Sequence, residues 1–332
     1  MKRILIFLCI VWAILLITPV CFMSCVPSSD NSDKGHDAKV PLCDDNVTVK
    51  VKHTDTGEVS EMNLSDYLIC VLTAEMPASF ESDALMAQAV AARSYTYNKY
   101  LKNRDDPNIF PTHDGADVCT DIGHCKAFLS KEDAIKKWGK SWADEYYDKL
   151  CRAVRDTDSE ILTYGAVPVN AVFHSASYGR TENAKDVWGG DAPYLKSVES
   201  PLGDAAEKSV SKFSVPLYEF KDSILSSYPD AHFPDDTSKW VDSVTRSEGG
   251  SVQSITIGGI PLKGTKVREI FSLKSANFVL TLSDTDAVFE VYGSGHGVGL
   301  SQYGANALAL DGYNYREILA WYYKDTDISN WE

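Results

Sequence analysis

A run of roughly 20 apolar residues, Ile4 to about Met23, carries no charge and directly follows Lys2 and Arg3; it is long enough to span a bilayer as a helix. The basic flank precedes the run, which by the positive-inside rule places the remainder of the chain outside the cytoplasm. A cleaved signal peptide is the alternative, but its apolar region is usually shorter and no clear small-x-small site follows. Cys25, after Phe22-Met23-Ser24, raises lipid attachment on a poor approach sequence. We therefore expect an uncleaved single-pass anchor over residues 1–26, in the cell membrane. Residues 27–46, rich in Ser, Asp, Lys and Pro, read as a flexible linker. Residues 47–332 then form one extracytoplasmic domain.

The formal net charge is −15, and no cluster of Lys and Arg stands out. Nucleic acid is thereby excluded as a partner, because binding it requires clustered cations to neutralise phosphates. The 17 Tyr and 7 Trp suit either a sugar-stacking surface or core filling, and composition does not choose between them.

Periodicity predicts an α+β fold: mixed helices and short antiparallel strands around a substrate cleft, with the N-terminal transmembrane helix before them. Val47–Lys52 alternates like a half-buried strand. Asn63 to Pro77 reads as a helix, with Ser65 or Asn63 able to cap it, a stripe of Tyr67, Leu68, Val71 and Leu72, and Pro77 as the stop. A second helix runs from about Ser82 to Lys102, with Leu85, Ala89, Ala92 and Tyr95 inward. Asn103–Phe128 is loop-like. Helices are expected over Lys131–Trp138 and Ser141–Arg155, strands over Ile161–Tyr164 and Val167–His174, and a helix over 217–227. Short strands near 252–257 and 278–292 precede closing helices over Leu300–Leu310 and Tyr315–Lys324. The βαβ rhythm of a doubly wound sheet is missing.

Glu75 ends the first apolar helix (Leu72-Thr73-Ala74-Glu75-Met76-Pro77). Burial among apolar neighbours and the partial negative charge of a helix C-terminus both favour a protonated carboxyl, which is what a general acid needs. A lone Glu at a helix end is more often solvated surface. The surrounding string shifts that balance. YLICVLTAEMPASFESDALMAQAVAARSYTY, then VFHSASYGRTENAKDVWGGDAPYLKSVESP (Val172–Pro201), then GSGHGVGLSQYGANALA (Gly293–Ala309) together resemble the stage II sporulation protein D family of peptidoglycan lytic transglycosylases. The blocks are widely separated and in family order, and the one departure is Leu300, where Met is expected.

The resemblance implies that Glu75 is the catalytic acid and that the substrate is peptidoglycan glycan stripped of stem peptides. It also implies cooperation with a sporulation amidase and with a membrane protein that recruits both. Gln88 and Arg93 belong to the resembling motif, and Arg93 could orient Glu75 or contact sugar. Ser175, Ser177 and Tyr178 follow a strand end, where hydroxyls can bond sugar substituents. In the third block, glycines around His296 permit close approach of a ligand, Ser301 can cap the helix that follows, and Gln302 or Tyr303 can reach substrate. A Ser or Cys hydrolase built on His174 or His296 lacks a nucleophile elbow.

His113, Cys119, His124 and Cys125 fall close together in the polar loop. Two thiolates and two imidazoles match a tetrahedral zinc shell, which would be structural because no ligand position stays open. The competing reading is a Cys119–Cys125 disulfide, with Cys43, Cys70 and Cys151 leaving the pairings open. Two functions compete with the transglycosylase: a non-catalytic peptidoglycan-binding scaffold and a zinc-dependent cell-wall hydrolase.

Overall fold

Strand β1 (Thr48–Lys52) buries Val49 and Val51 on one face, the outcome that its alternation predicts. It pairs antiparallel with β2 (Val59–Asn63). The computed structural model describes residues 43–331, which belong to a single unit, Pro41–Glu332. The expected anchor, Cys25 and residues 27–42 of the expected linker lie outside the described residues. Among the described residues, no helix is long and apolar enough to cross a membrane. The linker ends earlier than expected: Cys43–Asn46 forms a 3-10 turn, and Asp44 within it is fully buried.

Helix α1 (Leu64–Glu75) sinks Tyr67, Leu68, Val71 and Leu72 into the core, and Pro77 follows its end. Neither expected cap operates: Asn63 makes no side-chain cap, and the Ser65 hydroxyl donates to Asp45 instead. Helix α2 (Ser82–Asp105) is buried on most of its faces, with Val90, Ala91, Arg93, Ser94 and Thr96 inside as well as the expected Leu85, Ala89, Ala92 and Tyr95. It is therefore the central helix of the first lobe rather than an amphipathic one at its edge. Strand β3 (Val118–Cys119) adds to β1 in parallel. Helices α3 (Lys131–Trp138) and α4 (Lys140–Arg155) follow, with Ser130 capping α3 through the Asp133 amide.

Strand β4 (Glu160–Tyr164) turns into Val167–Pro168, but the expected strand through His174 is interrupted. Local bonds from Ala171 N–H to the Val169 carbonyl and from Val172 N–H to the Asn170 carbonyl fold the backbone out of the ladder. Strand β5 (Phe173–His174) resumes in a different sheet. Helix α5 (Ala184–Trp188) ends at Gly189 in the left-handed region.

The second lobe is built from β6 (Val210–Pro216), α6 (Leu217–Ser227), β7 (Val241–Arg246), β8 (Val252–Ile257), β9 (Ile260–Leu262), α7 (Gly264–Ile270), β10 (Phe278–Leu282) and β11 (Asp286–Tyr292). Its sheets have the orders β6-β11-β10 and β7-β8-β9, both antiparallel. Phe220, Trp240, Phe271 and Phe289 fill the space between them; the Phe220 and Phe271 rings stack at 5.2 Å.

The chain then returns to the first lobe. Strand β12 (Leu300–Ser301) pairs in parallel with β5, and the helix expected from Leu300 begins only at Gln302, as α8 (Gln302–Leu310). Ser301 caps it, accepting from the Gly304 amide. Helix α9 (Tyr315–Tyr322) starts with a full capping box from Asn314 and Glu317, and β13 (Asp327–Asn330) pairs with β4. The fold is mixed α and β, with short strands in small sheets that include parallel pairs as well as the expected antiparallel ones.

Candidate active site and metal centre

The glycine-rich segment holds the site together by gripping its own chain. Gly293 and Gly299 both have positive φ, and a Cβ would stand 2.5 Å from the Ala176 carbonyl at the first and 2.1 Å from the Val172 carbonyl at the second. Only glycine fits such an approach. The close partner expected for these glycines was a ligand; in the structure it is the Val172–Glu182 segment, which also bridges to Ser294 and Val298.

That docking brings the three sequence blocks to Glu75. The helix end presents the carboxylate half-buried, and Gln302 Nε2 donates to its Oε2 at 3.1 Å. The Ala127 N–H donates to Oε1 at 3.0 Å. Tyr303 N–H donates to the Ser175 carbonyl at 3.0 Å, and the Tyr303 ring meets Phe80 edge-on at 5.1 Å. Glu75 thus has polar company where apolar neighbours alone were expected, and two donors fix the position of its oxygens.

Lys126, beside the donor Ala127, is buried, with its ammonium 3.6 Å from the centre of the Phe173 ring and 4.4 Å from that of Tyr95. Burial pushes its pKa down to about 8, and the Glu75 charge acts against that fall. Glu75 also lines a cavity of about 350 Å³ with Ala74, Met76, Lys137, Trp138 and Tyr146. The Trp138 and Tyr146 rings meet edge-on at 5.7 Å.

Other expected site residues lie elsewhere. Arg93 is fully buried: Nε donates to Asp44 Oδ2 at 2.8 Å, and its remaining nitrogens donate to the Val154 and Glu160 carbonyls and to Thr157. It clamps the Cys43–Asn46 turn to the core, and its burial keeps it from sugar. Gln88 is also fully buried, with neither amide atom partnered. Ser177 is buried against His174, Oγ to Nε2 2.5 Å, while His174 Nδ1 donates to the Val298 carbonyl. Burial pushes the His174 pKa down to about 4, so the imidazole is neutral. Ser177 borders a void of only about 20 Å³, too small for a substrate, and the Ser–His pair locks the second block to the third.

His296 donates from Nε2 to the Phe173 carbonyl and accepts the Val298 N–H at Nδ1, both at 3.1 Å. Tyr178 is 42% exposed, its ring tilted against that of Tyr292 at 5.1 Å. Neither residue lines the cavity at Glu75. Conversely, sequence reading missed Lys126, Ala127, Trp138 and Tyr146. A basic residue directly after Cys125 and aromatics flanking the α3–α4 junction were the only signals for them.

The Cys/His residues do converge. One ligand atom from each of His113, Cys119, His124 and Cys125 lies within 4.8 Å of all the others. His113 Nε2 is 2.8 Å from His124 Nδ1 and 3.4 Å from Cys125 Sγ, and Cys119 Sγ is 3.6 Å from His124 Nδ1. The sulfur–nitrogen separations match the roughly 3.3–3.8 Å edges that bonds of zinc length make around a tetrahedral ion, and the two imidazole nitrogens stand closer together than that. His113 Nδ1 donates to the Ala116 carbonyl at 3.1 Å, which turns the lone pair of Nε2 inward. Burial pushes the His113 pKa down to about 4 and that of Cys119 up to about 11. The imidazole is thus ready to ligate, and the thiol needs a cation to ionise. The four residues can hold a metal ion. Cys119 and Cys125 are free thiols in this arrangement, without the alternative disulfide.

A single half-buried carboxylate, held by donors from two distant segments beside an aromatic cavity, defines a candidate acid–base centre. Residues 52–164 match the family model described as Stage II sporulation protein. The stage II sporulation protein D of Bacillus amyloliquefaciens is 35% identical over 88% of this chain and 81% of its own length. That of Bacillus subtilis is 34% identical over 85% and 79%. The amidase enhancer of Bacillus subtilis is 26% identical over 79% of this chain and 40% of its own. The chain belongs to the stage II sporulation protein D family, a family of sporulation proteins.

Proposed function

We propose that the protein is a lytic transglycosylase that cuts the bond between N-acetylmuramic acid and N-acetylglucosamine in peptide-stripped peptidoglycan during engulfment. The observation that carries this reading is the setting of Glu75. Among the described residues lining its cavity it is the one carboxylate. Hydrolysis by the usual two-carboxylate route requires a second acid roughly 5–9.5 Å away. An internal nucleophile removes that need.

Glu75, in its protonated form, donates its proton to the glycosidic oxygen as the C1–O bond breaks. The carboxylate so formed then takes the proton of the muramic 6-hydroxyl as that oxygen bonds to C1. The products are a 1,6-anhydro sugar and a freed N-acetylglucosamine hydroxyl; no water is consumed. Gln302 and the Ala127 amide keep the Glu75 oxygens aimed. Lys126 places a positive charge near the carboxylate at the stage when it is ionised. Trp138 and Tyr146 offer ring faces for sugar.

The four Cys/His residues would hold zinc, which supplies structural cross-linking rather than chemistry, because four protein ligands close the shell. That closure disfavours a zinc hydrolase. The chain is further proposed to work outside the cytoplasm, anchored through Ile4–Met23, beside a stem-peptide amidase and a recruiting membrane protein. A relative named amidase enhancer favours a second reading, a non-catalytic glycan-binding helper. Glu75→Gln separates the two. Under the enzymatic reading this change abolishes strand cleavage and preserves glycan binding; cleavage at an unchanged rate rules that reading out.

A further inference from the structure

A second cavity, of about 530 Å³, lies where the two lobes meet and is not used by the reaction above. The first lobe contributes Lys185, Trp188 and His296 to its lining, and the second contributes Lys263 and Arg268. Seams between lobes are common places for ligands.

Three features of the wall point to one kind of ligand. Trp188 is 52% exposed although its ring lies 5.0 Å from that of His296, and the bonds of His296 to Phe173 and Val298 hold that support rigid. An exposed, braced indole is a platform for a sugar ring. Arg268 is partly buried and donates from Nε to the Leu273 carbonyl, but no carboxylate lies within ion-pair distance of it among the described residues. Burial shifts its pKa downward, a desolvation cost that an anionic ligand would offset. Lys185 and Lys263 are exposed and likewise make no ion pair among the described residues. Three unpaired cations around one cavity are unusual in a chain of net charge −15.

The acids present are engaged differently. Asp186 accepts the Asn183 amide at 2.9 Å. Glu182 is 2% exposed; its Oε1 accepts the Ser251 N–H at 3.0 Å, and its Oε2 has no partner. The wall therefore combines a ring platform with three cations that no ion pair engages among the described residues, outnumbering its two carboxylates, and so suits a sugar acid.

We propose that this cavity binds the free lactyl carboxylate of a muramic acid residue, with Arg268 and Lys185 holding the carboxylate and Trp188 stacking on the ring. The inference rests on the substrate named above and adds a way to recognise it. A lactyl group that bears a stem peptide carries a neutral amide and added bulk in place of the carboxylate. The cavity is thus the element that tells stripped glycan from unstripped.

The test is calorimetric binding to the full chain carrying Glu75→Gln, so that nothing is turned over. One ligand is a peptide-free muramic acid–glucosamine tetrasaccharide with free lactyl carboxylates, and the other is the same sugar with those groups converted to methylamides. The acid should bind about tenfold more tightly, the scale of one charge-assisted hydrogen bond. Arg268→Gln and, at the exposed position, Lys185→Gln should bring the acid towards the affinity of the amide. Trp188→Ala should weaken both ligands alike. Equal affinity for acid and amide in the parent, a preference that survives both charge variants, or binding of neither ligand overturns the proposal. If the variant binds as expected but the parent protein, with Glu75 intact, yields no anhydro ends from the same glycan, the cavity stands and only the catalytic reading is refuted.

Discussion

Arg93 and Glu75 sit on consecutive helices within the same sequence block, and packing gives them opposite tasks. Arg93 directs all three of its nitrogens to the Cys43–Asn46 turn, the end of α4 and the start of β4. Removing it leaves the Asp44 carboxylate buried without a counter-charge, although the Trp331 indole still donates to it. Arg93→Met should therefore cost about 3–5 kcal/mol of stability, read as a lowered urea midpoint, with glycan affinity of the folded protein unchanged; a stable variant that has lost affinity would restore Arg93 to the site. Spacing could not reveal this, because the partner of Arg93 is 49 residues away and fell in a stretch that composition marked as linker. Glu75 was legible through its block, but its donors stand 52 and 227 residues away. Its setting emerged only from the fold.

Among elements, the segment between β3 and α3 ties the Cys/His cluster to Glu75. Cys125 is two residues before Ala127, whose amide holds Glu75. Stripping the metal should loosen this tether: amide exchange at Ala127 should accelerate and cleavage should fall, with zinc restoring both. Unchanged protection at Ala127 after complete metal removal would contradict the link. The long helices α1, α2 and α4 of the first lobe were readable from their runs of apolar residues, whereas the single-turn α5 was not. The second lobe was less so. In β7 a register shift beside Ser243, whose φ is 34°, breaks the period of two, and most of the strand is exposed. Strand β6 buries only Val215 fully, so it offered no alternation to find.

For the molecule as a whole, the glycine-rich return from the second lobe assembles the site. Residues 293–301 thread against Val172–Glu182, deliver Gln302 to Glu75 and leave His296 at the cavity between the lobes. Glycines in that run signalled tight contact from the sequence, but not that the contact would be with the chain itself. The proposed reaction uses one carboxylate and the substrate's own 6-hydroxyl, so the product, rather than the rate, is diagnostic. The decisive measurement is mass spectrometry of peptide-free glycan digested by the purified protein, with Glu75→Gln as the control. The account predicts fragments ending in 1,6-anhydro-muramic acid with the parent protein and intact strands with the variant. Reducing muramic ends that carry oxygen from labelled water would contradict it.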